Sequence, residues 1–312
     1  MSRFRHERLT EYSPKRGRYS RPTVLKAPEV FSLVREPEAA IDYINRVEAV
    51  LTGNSNIVFD LSNVKTLTID AIAVLVSLLS DTRMDSRFVS GSFPKDPFAR
   101  HLMVECGFLK RISTPYKSKN HNKNAYGDVS SKTDYQYAPH KPKKLLDSIH
   151  KQIPMGLFER DGCDLVIKEC MNNTIDHATD EGETNPNKRE RWWISVHCDT
   201  ARQVARFCFF DTGLGIVKTL ERRGLWPKLR EQYQFKNRRD FMERLLRGDI
   251  QSSTLEPHRG NGLPNIAHRF KLGQIKKLVM VSNNQYADVD TKDFRRLTSD
   301  FSGTLIYWEH HA

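Results

Sequence analysis

The chain has 312 residues, 38% of them apolar and 28% charged, with a formal net charge of +12. That length and apolar content suit a folded protein of two domains and exclude a wholly disordered one. No apolar run approaches the length of a membrane span, and the first residues hold no hydrophobic signal core, so a cytoplasmic protein with no membrane contact is expected.

Residues 1–26 carry eight Arg and Lys side chains, Arg3 to Lys26, and read as a basic flexible tail. Residues 27–110 read as a small α/β domain. Within it Glu38–Leu51 is an amphipathic helix, Asn56–Leu61 a strand and Ile69–Leu79 an apolar helix. Residues 111–144, rich in Lys, Ser, Asn and Tyr, read as a linker or long loop. Five scattered cysteines, Cys106, Cys163, Cys170, Cys198 and Cys208, lack Cys-x-x-Cys spacing. They suit a reducing compartment, with Cys170, Cys198 and Cys208 as small buried apolar residues.

The last stretch, 145–312, concentrates the chemistry. Leu165–Ala178 reads as a helix without Gly or Pro. Glu169, Asn173 and His177 recur every four residues, so each step drifts only about 40° and the three share one face. Ile167, Met171, Thr174 and Ala178 take the opposite face and suit packing on a sheet. A carboxylate, an amide and an imidazole in one row are costly to bury without a ligand. The carboxylate suits a general base, and the amide oxygen suits Mg²⁺.

Downstream, Val204–Phe210 reads as a buried strand, followed at once by Asp211, Gly213 and Gly215. Spaced glycines let backbone approach a ligand beside an accepting carboxylate. A lone pattern of this kind is often only a turn. Further on, Arg259, Gly260, Gly262 and Leu263 precede a helix-like run that holds Pro264 near its start. That arrangement aims backbone N–H groups, and the positive end of a helix, at an anion, with Arg259 as a phosphate partner. No P-loop, no Rossmann glycine fingerprint and no protein-kinase motif set occurs. The pairs Trp192–Trp193 and Tyr307–Trp308 read as sheet core rather than as base-stacking platforms.

These three elements, in this order, resemble the GHKL or Bergerat-fold ATPases over roughly residues 145–310. Glu169, Asn173 and His177 match that family's N-box, and Asp211, Gly213 and Gly215 its first glycine box. Gly260, Gly262 and Leu263 match the second, and Phe301–Trp308 looks like the closing strand. The resemblance implies a Bergerat-type α/β sandwich, a mixed sheet with helices on one face. It further implies that Asp211 binds the adenine amino group with Thr304 nearby, Asn173 holds Mg²⁺ and Glu169 is the general base. Gly260 and Gly262 would line the triphosphate of ATP, under a lid formed by residues 217–257.

Residues 55–110 are similar to the STAS fold, through Val58–Leu75 and the later Pro94–Phe108. Ala71 stands where that family carries a phosphorylated Ser or Thr, so a docking module without a phospho-switch is expected.

Two functions follow from these resemblances. One is a regulatory enzyme that hydrolyses ATP or transfers phosphate to a protein, as anti-sigma kinases do. The other is a nucleotide-gated interaction module with little or no turnover. A histidine kinase fits less well, because His150 is followed by Lys151 and no long paired helix is evident. A protein partner is expected at the STAS-like module or the lid, and a homodimer is left open. The basic segments read as solvated surface, or as a surface for an acidic or nucleic-acid partner.

Overall fold

The computed structural model describes residues 22–53, 55–79, 81–84, 89–105, 130–132, 140–178, 192–250 and 262–312. They form a layered α/β protein. The N-terminal layer holds a three-stranded parallel sheet, β1 (Thr23–Lys26), β3 (Ile57–Asp60) and β5 (Val89–Ser92), in that order. A short parallel pair, β2 (Val30–Phe31) and β4 (Thr66–Leu67), lies beside it. Three helices belong to this layer: α1 (Pro37–Thr52), α2 (Ile69–Leu79) and α3 (Pro97–Glu105).

The second sheet is built from β6 (Ser130–Lys132), β7 (Trp192–Asp199), β8 (Val204–Asp211), β10 (Asp293–His311) and β9 (Lys276–Asp288), in that spatial order. Every pairing among these described strands is antiparallel, whereas a mixed sheet was expected. β6 and the start of α4 (His140–His150) lie in the segment read as a linker, and β6 extends the sheet edge beside β7.

Strand sequence explains why both faces of this sheet are covered. In β8, Phe207 and Phe209 point to one core, while Cys208 and Phe210 point to the other. In β10, Ile306 and Trp308 alternate in the same way with Leu305 and Tyr307. A strand with one wet face alternates apolar and polar; these runs are apolar on both faces, so both need a cover. One face is covered by α5 (Leu157–Ala178), α8 (Arg238–Arg247) and α9 (Gly262–Lys271). The other, expected to be free of helices, is covered by α2 on β7 and β8 and by α1 on β10.

The helix α2 is apolar but for Asp70 and Ser77, and Ile69 to Leu78 are all buried. Such a helix is stable only when enclosed, and here it lies between the small parallel sheet and the large one. Polar contacts fix the two layers together. Tyr286 Oη donates to Val34 O at 2.8 Å, Asn45 Nδ2 donates to Asp300 O at 3.0 Å, and Thr298 N donates to Glu38 at 3.1 Å. The described cysteines Cys163, Cys170, Cys198 and Cys208 are free and buried, and both tryptophan pairs lie in the sheet core. Among the described residues no helix is long and apolar enough to cross a membrane.

The shared helix makes the two layers one cooperative unit. Leu75→Ala, at a site 1% exposed, is expected to cost about 2–5 kcal/mol. Urea unfolding followed by tryptophan fluorescence and by far-UV circular dichroism should give one shared, shifted midpoint. Two separate transitions in the unmodified chain would contradict a common core.

Candidate functional site

Two of the predicted residues, Asp211 and Thr304, meet at one end of the large sheet. Asp211 ends β8 and stands opposite Thr304 of β10 and Trp192 of β7. Its Oδ1 accepts from Gly213 N at 2.9 Å, which curls the chain back toward the carboxylate. Thr304 bonds the same carboxylate through its backbone N–H and its hydroxyl. The residue keeps part of its surface open, yet burial dominates at its carboxylate and pushes the pKa up to about 6, against the pull of those hydrogen bonds.

The backbone here tolerates only glycine at two points. Gly215 has φ of +85°, and a Cβ there would press on the Asn283 side chain at 2.6 Å. Gly303 has φ of +105°, and a Cβ there would collide with the Asp211 carbonyl oxygen. Both φ values are ones that side-chain-bearing residues rarely adopt.

Two residues that sequence reasoning missed set this loop. The helix α6 (Ile216–Arg222) begins just after Gly215. Ser282 Oγ accepts from Ile216 N at 2.9 Å, and Asn283 Oδ1 accepts from Val217 N at 3.0 Å and Lys218 N at 3.3 Å. Asn283 Nδ2 donates to Leu214 O at 2.7 Å. The first N–H groups of α6 are therefore satisfied by β9, and the glycine loop is pinned at both ends. Asn283 itself sits at φ of +53°, beside a shift of register between β9 and β10. A signal for these residues exists in the sequence: Ser282 to Gln285 is a polar run inside an otherwise apolar strand, and buried polar groups need partners.

The helix α5 brings the second group. Ile167 and Met171 are buried in the helical core, while Glu169 and Asn173 are only partly buried, as the spacing predicts. Asn265 Nδ2, in the first turn of α9, donates to Glu169 Oε1 at 2.8 Å. A Cβ on Gly262 would lie 2.6 Å from Asn173 Oδ1, so the absence of a side chain at Gly262 admits the amide. Leu263 beside it is buried. Between these groups lies Cys170, whose thiol is pushed well up by burial first and then by the negative charges of Asp211 and Glu169. The helix α5 and the strand β8 are in contact.

The His177 side chain, Arg259 and Gly260 lie outside the described residues. His150 Nδ1 accepts from Met155 N at 3.0 Å, closing the turn between α4 and α5. Among the described residues no group of three or more His, Cys, Asp or Glu side chains could hold a metal ion.

The segment expected as a lid divides. The helices α7 (Leu225–Tyr233) and α8 are joined by a ring cluster of Trp226, Phe235 and Phe241. Phe241, Met242, Leu245 and Leu246 place α8 in the core under β9 and β10. Residues 216–250 are thus part of the sandwich, and the remainder of the expected lid, 251–257, lies outside the described residues.

Compared with protein families, with curated proteins and with solved structures, the chain finds no match.

The Asp211 carboxyl gives a stability prediction with a sign. Its folded pKa of about 6 lies above the unfolded value of about 3.9, so the folded state holds the proton more tightly. The stability it contributes is fully present below about pH 4 and is lost as pH rises through about 6. Asp211→Asn, which is uncharged at every pH, is expected to raise the melting temperature by a few degrees at pH 7.5 and to leave it nearly unchanged at pH 4.5. Scanning fluorimetry of both proteins at both pH values checks this. An equal shift at the two pH values would rule out the titration.

Proposed function

We propose that this chain is a regulatory protein with a GHKL-type Mg·ATP site carried on a Bergerat-type sandwich, with a STAS-like module as its N-terminal layer. In this reading it hydrolyses ATP or transfers phosphate to a protein partner. The observation that carries the reading is the meeting of α5 with the start of α9: Asn265 holds Glu169, and the Asn173 amide reaches Gly262 through the space its missing side chain leaves.

The residues present fit the groups they would hold. Asp211 is a carboxylate set in a mostly dry recess, with Thr304 and Gly213 orienting it and acceptor capacity left for a ring amino group. Asn173 offers an amide oxygen of the kind Mg²⁺ takes alongside water and phosphate oxygens, and the ion when bound would offset charge on the phosphates. Glu169 would take the proton from a water or a hydroxyl. Asn265 occupies one of its oxygens and leaves the other for that task. Gly213 and Gly215 would let the backbone approach the nucleotide. Arg259, Gly260, Gly262 and His177 would face the phosphates.

A second reading keeps the same site with little or no turnover, as a nucleotide-gated interaction module. Lys228, Arg230, Lys236 and Arg239 are exposed on α7, at the start of α8 and in the loop between them, and offer a surface to an acidic protein partner.

Calorimetric titration with ATP and Mg²⁺, together with phosphate release, tests the reading. The unmodified protein should bind ATP, and Asp211→Asn should weaken binding about 10- to 100-fold through loss of a charged hydrogen bond. Glu169→Gln should bind like the parent and turn over about 100-fold more slowly. Binding with no turnover in the parent selects the gated module. No binding of ATP by the parent would sink both.

A further inference from the structure

A cavity lies away from Asp211, between the N-terminal layer and the far end of the large sheet. It is a cleft of about 780 Å³, walled by the turn after β2, the β4–α2 connection, α3, and the ends of β7, β8 and β10. That volume suits a metabolite-sized ligand. None of the residues assigned to the nucleotide site lines it.

Five Lys and Arg side chains line the cleft against three carboxylates. Two of the three carboxylates are already met by cations, and Lys277 is met by Asp288 at 2.6 Å. Asp199 has Arg206 at 3.3 Å and Arg202 at 3.6 Å, and Glu309 has Arg206 at 3.8 Å as well as the Tyr307 hydroxyl at 2.5 Å. At the rim, Arg35 is exposed and Lys65 holds only an exposed pair with Glu29 at 3.0 Å, a contact of small worth. The third carboxylate, Asp70, is fully buried, and burial pushes its pKa up.

Asp70 braces the wall of the cleft: its Oδ2 accepts from Leu33 N at 2.6 Å and from Val34 N at 3.3 Å. The wall itself is rigid: Ser32 Oγ donates to Asp70 and accepts from Arg35 N at 3.1 Å, and Tyr286 ties Val34 to β9. A preformed wall lowers the entropy cost of binding.

The apolar side of the cleft is α3. Phe98 lines it with 83% of its surface exposed, next to Ala99 and Leu102. A flat ring has an open face to stack on, with cations within the same cleft.

We propose that this cleft binds a small organic anion carrying a flat apolar ring, with Arg35 and its neighbouring cations taking the anionic group and Phe98 the ring. The probe is 8-anilinonaphthalene-1-sulfonate, an aromatic anion whose fluorescence reports binding. The full chain should bind it saturably at one site. Arg35→Glu should weaken binding about tenfold or more, and Phe98→Ala several-fold. Lys228→Glu, outside the cleft, and Asp211→Asn should leave it unchanged, as should added Mg·ATP. Arg35 and Phe98 are exposed, so both variants should melt like the parent, which circular dichroism checks. The proposal is overturned by unsaturable binding, by equal effects of Arg35→Glu and Lys228→Glu, or by displacement with ATP. It does not depend on the nucleotide reading, because ATP binding is measured separately.

Discussion

Enclosure of the antiparallel sheet on both faces is the constraint from which the rest of the structure follows. Phe207 and Phe209 on one side, and Cys208 and Phe210 on the other, leave β8 no face that water could wet at low cost. The side under α5, α8 and α9 is closed by the C-terminal residues themselves. The other side can be closed only by α1 and α2, and α2 in turn has no polar stripe to turn outward. The N-terminal layer is therefore bound to the sheet by its own composition. A module that docks elsewhere would have to expose Ala71, Val74 and Leu78 together with Trp193 and Phe210.

A sheet so enclosed can hold a strained end. Gly215, Asn283 and Gly303 all take positive φ at this end of the sheet, and the Asp211 carboxylate itself sits where burial opposes its charge. The left-handed Asn283 and the buried carboxylate each cost free energy, and such costs persist only where surrounding structure over-determines them. Here Ser282 and Asn283 project from a strand whose neighbours Met280 and Val281 are locked in opposite cores. The loop geometry is therefore inherited from β9, which the sequence separates from Asp211 by about seventy residues. Local deformation of this end would need β9 to move, and β9 is tied to the N-terminal layer through Tyr286.

How much of this was legible depends on whether a signal was local. Helix α2 was readable to the residue, because apolar side chains at every position from Ile72 to Val76 and at Leu78 and Leu79 admit only a buried helix of that length. The row Glu169–Asn173 was readable from a period of four, and its partner Gly262 from glycine spacing. β10 was read only over its apolar second half; its first half, with Arg295 and Arg296 exposed, carries strand structure through pairing with β9. Asn265, Asn283 and Gly303 were missed because their roles exist only across the fold, between segments the sequence does not join. The covering of the back of the sheet was missed for the same reason. Alternation within β8 and β10 did carry that information, since an apolar residue at every position means two cores.

The residues between the two glycine boxes show how composition misleads. Arg and Lys dominate them, and a long basic segment between two parts of a site reads as a mobile cover. Yet Phe241, Met242, Leu245 and Leu246 recur on one face of α8, and Asn237 caps its start by accepting from Asp240 N. A short helix with a cap and a four-residue apolar face is built to pack. Trp226 and Phe235 then extend that packing to α7, so the charges decorate an element that the core already holds. Any closure over Asp211 must therefore leave α8 in place, because withdrawing it would expose the rings of Phe241 and Phe235 and the side chains beneath β9. What the basic helices can change without unfolding is their outer surface, and that surface is set by the position of α6, which Ser282 and Asn283 hold against the glycine loop. The glycine loop and the outward face of α7 are thus linked through one short helix, α6, and the left-handed Gly224 that follows it.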